Sequence, residues 1–285
     1  MRISSLRKRT LKDLILSNNV LSLIKSNKRV DGRGLLEYRD IRIETNVIKR
    51  AFGSAKVELG KTVVLAGISF EVGTPFRDSP AEGVLIVEGE FLPIASLEVE
   101  VGPFDEVGIE VSRYVDRSLR KSGMIDLKKL TIVPGELVLK MYIDFNVIND
   151  DGNVIDASIL AAITSLYTGH MPDPNYLANA VKNTDFSSLE LSTIPKVPIP
   201  VNELPISVLL ALIDDKFVVD PCSVEEDVAD TVIAITHTAK NEICAIQLIK
   251  GSLTYDQIFE ALNISLNVSA ELRNRISKVL KVPFP

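Results

Sequence analysis

The sequence predicts an α+β fold in which helices pack on one side of antiparallel or mixed sheets. Two observations support this prediction: β-hairpins are followed by an apolar helix in the first half of the chain, and the same order returns in the second half. The length of 285 residues, with 46% hydrophobic and 25% charged residues, is typical of a globular protein of one large or two moderate domains. The likeness between the halves is architectural and is not a sequence repeat.

The first sixty residues predict a helical arm, a polar loop and the first hairpin. Apolar residues at helical spacing indicate an amphipathic helix within residues 10–26. Asp31-Gly32 indicates a turn, and the arginines around it are interpreted as part of a polar loop that enters a sheet at Ile41. Gly60-Lys61 separates an alternating stretch from the β-branched run Thr62 to Ile68, which predicts a hairpin with a two-residue turn.

The rest of the first half predicts two further strands and a buried helix. Val84 to Leu92 indicates a strand, and the period-two alternation from Leu137 to Val147 indicates another with one buried face. A helix follows from about Val154 to Tyr167, and its near lack of charge predicts burial on most sides.

The second half predicts a linker or long excursion, two hairpins and a closing helix. The excursion is the proline-, asparagine- and serine-rich segment from His170 to Pro205. The expected strands are Ile206 to Ile213, Lys216 to Val219, Thr231 to Thr236 and Glu242 to Leu248. Thr254 and Gln257 form a capping-box pattern at the start of the last helix. Its expected inward residues are Ile258, Leu262, Leu272, Ile276 and Leu280.

The segment from Glu106 to Lys121 predicts a helix with two opposed faces. Its apolar stripe is Val107, Val111, Val115 and Leu119. Arg113, Arg117 and Arg120 recur at helical spacing on nearly the opposite side. Guanidinium groups stay charged and are stabilised by water, carboxylates or phosphates. The pattern alone leaves two interpretations open, a solvated surface and a polyanion-binding face.

Composition limits the classes of function. The net charge of -6 restricts any polyanion partner to a local basic surface. The two cysteines and two histidines lack zinc-site spacing, so we expect no metal and no cofactor. No stretch is apolar enough for a signal-peptide core or a membrane span, which predicts a soluble intracellular protein.

Several short motifs together resemble the RNase PH family. They are Arg29, Asp31, Gly32, Arg33, Tyr38 and Arg39; Gly53-Ser54-Ala55; Gly60-Lys61-Thr62; Asp116 to Arg120; Gly152 to Ala157; Asp220-Pro221; and Glu225-Glu226. Within that family the pattern is most similar to the non-catalytic ring subunit of the archaeal exosome. The resemblance implies a ribosomal-protein-S5-domain-2-like fold. It further implies a hexameric ring of three heterodimers with a paralogous catalytic subunit, RNA-binding cap subunits and single-stranded RNA in the channel.

The resemblance also implies that this chain has no catalytic residues of its own. Active members carry an arginine before the central helix and another in a phosphate loop, whereas the segments Pro103 to Gly108 and Asp151 to Val154 contain none. Without those cations the attacking phosphate lacks its electrostatic clamp. Asp220 and Glu226 stand where active members have two aspartates, and we interpret them as a solvated helix start. Arg113 and Arg117 match positions that face the RNA path, so both are predicted to bind RNA.

The resulting hypothesis is a non-catalytic, RNA-binding scaffold for 3′ to 5′ phosphorolytic degradation by the catalytic paralogue, located in the cytoplasm. One alternative is an active phosphate-dependent 3′ to 5′ exoribonuclease. Another is a homo-oligomeric nucleic-acid-binding module without an enzyme partner. The predicted organisation is an arm at residues 1–28, a first half at 29–185 and a second half at 186–285.

Overall fold

A computed structural model describes residues 11–96, 99, 106–181 and 190–280. The helices are α1 Leu11–Lys25, α2 Glu106–Lys121, α3 Val154–Thr168, α4 Pro174–Val181, α5 Ser223–Val228 and α6 Tyr255–Leu280. The strands are β1 Ile41–Thr45, β2 Gly53–Leu59, β3 Thr62–Gly73, β4 Val84–Phe91, β5 Thr131–Val133, β6 Leu137–Asn149, β7 His170–Pro172, β8 Lys196–Pro198, β9 Ile206–Ile213, β10 Lys216–Val219, β11 Thr231–His237 and β12 Ile243–Lys250.

The first sheet has the order β1-β2-β3-β6-β4, with β5 paired to β6. Only the β4–β6 pair among these strands is parallel, so the sheet is mixed. Leu59 pairs with Thr62 across the predicted two-residue turn, and Gly60 has φ +59°, a conformation that glycine adopts without a side-chain clash. The hairpin and the one-sided burial of β6 are therefore confirmed.

The second sheet has the order β10-β9-β11-β12 and is antiparallel throughout. Helix α3 contacts β2 and β3 of the first sheet and β9 of the second, and α2 contacts β4 and β12, so these helices lie between the sheets. Helix α6 packs against β9 and β11. Every residue of β9 and β11 is consequently buried. The predicted α+β class is confirmed, and the structure adds that β9 and β11 of the second sheet are covered on both faces, whereas the edge strand β12 is partly exposed.

The structure corrects the interpretation of the segment from His170 to Pro205. Strands β7 and β8 pair within it, and β7 is followed by α4. Short elements of three residues do not produce a readable periodicity, and prolines mask their strand character. The predicted boundary between residues 185 and 186 lies outside the described residues.

Both terminal helices are docked on the core. In α1, Val20 and Ile24 are buried, and the side chains of residues 11–16 lie outside the described part. In α6, Thr254 and Gln257 donate and accept the reciprocal hydrogen bonds of a capping box, at 2.9 and 3.3 Å, as predicted. The inward placement of Ile258 is wrong, because this residue is 39% exposed in the first turns of α6, before the buried Ala261.

Candidate nucleic-acid interface

Helix α2 presents the predicted arginines because its opposite face is fixed in the core. Val111, Val115 and Leu119 are buried, as the apolar stripe requires. Two hydrogen bonds tie the helix to β11: Tyr114 Oη and Ser118 Oγ lie 2.9 and 3.0 Å from the hydroxyl oxygen of Thr236. Burial raises the pKa of Tyr114, so its hydroxyl stays neutral. The helix therefore cannot rotate without breaking buried polar contacts.

The three arginines of α2 are exposed but have different surroundings. Arg120 donates to Asp116 Oδ1 at 2.6 Å and to the carbonyl oxygen of Leu85 at 2.9 Å. Arg113 makes no hydrogen bond or ion pair with any residue in the part of the chain that the structure describes. No described residue therefore forms an ion pair with Arg113, whereas Arg120 is paired with Asp116 of the same helix.

Arg117 contacts a residue that sequence reasoning missed. Its Nη1 donates to Oε1 of Gln247 on β12 at 3.3 Å. The amide nitrogen of Gln247 donates in turn, at 2.8 Å, to Oε1 of Glu110, which lies two helical turns before Arg117 on the same face of α2. The described side chains thus form a short polar chain from β12 across the arginine face. No local sequence signal pairs β12 with α2, since the contact depends on the packing of the two sheets.

Asp220, interpreted from the sequence as part of a solvated helix start, is instead a buried structural anchor. Its side chain is 0% exposed and accepts hydrogen bonds from five donors. They are Arg33 Nη1 (3.0 Å), Arg39 N (2.8 Å), Arg39 Nε (2.9 Å), Arg39 Nη2 (2.7 Å) and Asn153 Nδ2 (2.7 Å). Burial alone would lower the pKa of the Arg39 guanidinium. The hydrogen bonds to Asp220 and the negative charge of Asp220 have a larger combined effect, so the pKa is raised overall.

The arginines near the amino terminus are likewise structural, which corrects their interpretation as members of a polar loop. Arg29 is buried and holds both carboxylate oxygens of Glu225, with Nε to Oε1 at 2.9 Å. It also donates to the carbonyl oxygens of Val219 and Asp220 at 2.8 Å. Burial raises the pKa of Glu225, but the hydrogen bonds and charge of Arg29 dominate and lower it overall. These pairs lock the segment before β1 onto α5.

The amino terminus of α3, where the family's phosphate loop is expected, is occupied by the chain's own side chains. The backbone N–H of Asn153 donates to Oε1 of Glu226 at 2.6 Å. The backbone of Asn153 is left-handed, with φ +53°, and its side-chain oxygen caps the helix by accepting from the N–H of Asp156. Helix amino termini bind anions because their N–H groups are unpaired, and here a carboxylate of the same chain fills that role. Glu226 is half-buried, so its interpretation as a solvated residue is also wrong.

A second buried carboxylate lies behind this cap. Asp156 accepts hydrogen bonds from Tyr38 Oη at 2.7 Å and from the N–H of Leu209 at 2.9 Å. Burial raises the pKa of Asp156, and these donors only partly offset that effect. The carboxylates of this region thus hold α3, β9 and the amino-terminal segment together.

Two negative findings concern the described residues only. None of their helices combines the length and apolar character needed to cross a membrane. No group of three or more histidine, cysteine or acidic side chains among residues 11–96, 99, 106–181 and 190–280 is arranged to hold a metal ion.

Comparison with known proteins places this architecture. Residues 37–172 match domain 1 of the 3′ exoribonuclease family, known as RNase PH, and residues 203–268 match its domain 2. The chain belongs to the RNase PH family. The two matched segments contain the first sheet with α2 and α3, the whole second sheet and the first half of α6, so the RNase PH fold expected from the short motifs is confirmed.

Relatives within the RNase PH family share nearly the whole chain. The Methanosarcina acetivorans protein named exosome complex component Rrp42 is 43% identical over 89% of this chain and 90% of its own. The Thermococcus onnurineus protein of the same name is 41% identical over 92% and 94%. A chain of the solved Archaeoglobus fulgidus exosome with RNA bound to the active site is 38% identical, with a TM-score of 0.83 over 93% of this chain and 99% of that chain.

Proposed function

We propose that this chain is a non-catalytic ring subunit of an archaeal exosome, which scaffolds the ring and binds RNA. The observation that supports this most directly is the similarity to proteins named exosome complex component Rrp42 along nearly the whole chain. The partners proposed are a catalytic RNase PH-like subunit, in three heterodimers forming a hexameric ring, RNA-binding cap subunits and single-stranded RNA. A cytoplasmic location and the three-part division at residues 28 and 185 belong to the same proposal.

The local chemistry agrees with a non-catalytic role. Phosphorolysis requires an inorganic phosphate held by cations, and the residues at the start of α3 include no arginine. The N–H group of Asn153 is already bonded to Glu226, and Asp220 is bonded to two arginines. Pro103 to Asp105, which also lack arginine, lie outside the described residues. The two carboxylates that stand where active members have aspartates thus support the fold.

The RNA contact is assigned to Arg113 and Arg117. Both guanidiniums are exposed on one face of α2, and their i, i+4 spacing suits successive phosphates of an extended strand. Phosphate contacts by cations carry little base information, so this grip is expected to be similar for different RNA sequences. Arg120, which is bonded to Asp116, contributes less.

The first test asks whether the chain has activity of its own. The purified chain, incubated with RNA and inorganic phosphate, should release no nucleoside diphosphates, and activity should appear when the catalytic ring subunit of the same organism is added. Native mass spectrometry of the mixture should show the heteromeric ring. Nucleoside diphosphate formation by the chain alone would contradict the proposal. A stable homo-oligomer that does not bind the second subunit would favour the binding-module alternative.

The second test asks whether the arginine face binds RNA. Arg113→Ala with Arg117→Ala in the assembled complex should weaken RNA binding and flatten the plot of log affinity against log salt by about 1.4, from about 0.7 per phosphate contact of a single strand. Arg120→Ala is the matched control and should change the slope little. An unchanged slope and affinity in the double variant would show that these arginines form a solvated surface and do not bind RNA.

A further inference from the structure

We propose that Gln247 is a positioning residue that orients Arg117 for RNA. The inference rests on the proposed function, since it assumes that Arg117 contacts phosphate. It adds a residue from the second sheet to a binding face that otherwise comes from α2 alone. Gln247 is half-exposed on β12, and its contacts are polar.

The hydrogen-bond directions around Gln247 fix which end of the amide faces each neighbour. Glu110 accepts, so the NH2 group of Gln247 must point toward it, at 2.8 Å. The amide oxygen is then left to face the guanidinium of Arg117, at 3.3 Å. Because the carboxylate orients the amide and the amide orients the guanidinium, the chain Glu110, Gln247, Arg117 has one consistent arrangement.

This arrangement has two physical consequences for Arg117. A long side chain that is already held in place loses less rotational freedom when it binds a phosphate, so less of the binding free energy is lost. In addition, Gln247 separates the positive charge of Arg117 from the negative charge of Glu110. Glu110 Oε1 accepts from this neutral amide, and Arg117 has no carboxylate partner among the described residues, so its remaining N–H donors can bind a phosphate.

The experiment measures RNA affinity of the assembled ring at several salt concentrations. Gln247→Ala should weaken affinity by about two- to tenfold, the effect of ordering one flexible side chain. The salt slope should stay unchanged, because no phosphate contact is removed. Arg117→Ala should weaken affinity and also lower the slope by about 0.7. Gln247→Thr repeats the test with a residue that favours strands and cannot reach Arg117, and thermal melting with native mass spectrometry verifies folding and assembly.

The decisive comparison is the double variant. If Gln247 acts through Arg117, Gln247→Ala should have no further effect once Arg117 is alanine. Additive losses would overturn the inference, because they would show that Gln247 contacts RNA independently. Normal affinity in Gln247→Ala, with reduced affinity in Arg117→Ala, would overturn the positioning role alone. Normal affinity in Arg117→Ala would overturn the RNA contact of that arginine, and the positioning role with it.

Discussion

Replacement of Asp220 by asparagine should destabilise the fold strongly. The carboxylate accepts two hydrogen bonds at Oδ1, from Arg39 and Asn153, and three at Oδ2, two from Arg39 and one from Arg33. An amide keeps one acceptor oxygen and turns its NH2 group toward donors at the other position. At least two bonds are lost, each worth about 1.5–3 kcal/mol when a charged group takes part.

The loss of charge leads to a similar figure. The Arg39 side chain is 7% exposed, and its other carboxylate contact, to Asp151 Oδ2, is 3.8 Å long. Removing the charge of one partner of a buried ion pair typically lowers the free energy of unfolding by about 3–5 kcal/mol, because the other charge stays buried without a partner. For a chain of this size, such a loss lowers the midpoint of thermal unfolding by roughly 6–15 °C.

Urea unfolding of the purified chain, followed by circular dichroism, measures this free energy directly. Asp215→Asn is the matched control: Asp215 is exposed in the β9–β10 turn with φ +59°, a conformation that asparagine also favours, so less than about 0.5 kcal/mol should be lost. A loss below about 1 kcal/mol for Asp220→Asn would refute the idea that this carboxylate anchors the amino-terminal segment. Reduced ring activity in this variant should therefore follow from misfolding and not from missing chemistry.

Three further changes separate structure from function. Burial, with a neighbouring guanidinium, lowers the pKa of His237 to about 4. Between about pH 6.5 and pH 4 the unfolded chain therefore binds a proton that the folded chain does not, and the free energy of unfolding falls as the pH drops through this range. His237→Gln should make the urea midpoint less dependent on pH there, whereas the same change at the exposed His170 should not. Glu226→Gln keeps an acceptor oxygen, so phosphorolysis by the assembled ring should stay within about twofold; a loss of about a hundredfold with intact assembly would assign catalysis to this chain. Gly53→Ala places a methyl group 2.4 Å from the carbonyl oxygen of Ser165 and should lower the thermal midpoint by several degrees, and an unchanged midpoint would contradict this close approach.

The elements that the sequence predicts well are those whose signal is local and repeated. Helix α2 begins and ends at the predicted residues because an apolar stripe and a cationic stripe both follow its period. The β2–β3 hairpin is equally clear, since Gly60 supplies the left-handed conformation that the turn requires. The proposed ring and RNA path are implied by the resemblance to a family, and no periodicity contains them.

The features that the sequence does not reveal depend on distant residues. Arg29, Arg39 and Asp220 appear as ordinary polar loop and helix-start residues until the fold brings them together. Gln247 is one more polar residue on an edge strand, and its role depends on α2 lying against β12. In each case the deciding quantity is burial or orientation, and both are set by the packing of the two sheets.

The long sequence separation of the buried ion pairs also affects how the chain can be made. Arg29 meets Glu225 across 196 residues, and Arg39 meets Asp220 across 181. While the ribosome is still synthesising the second sheet, these guanidiniums have no carboxylate, and α3 has no β9 to cover it. The first half is therefore expected to remain incompletely folded until α5 has been synthesised. A chain terminated before Glu225 should be degraded as an unfolded protein, even though it contains one complete family domain.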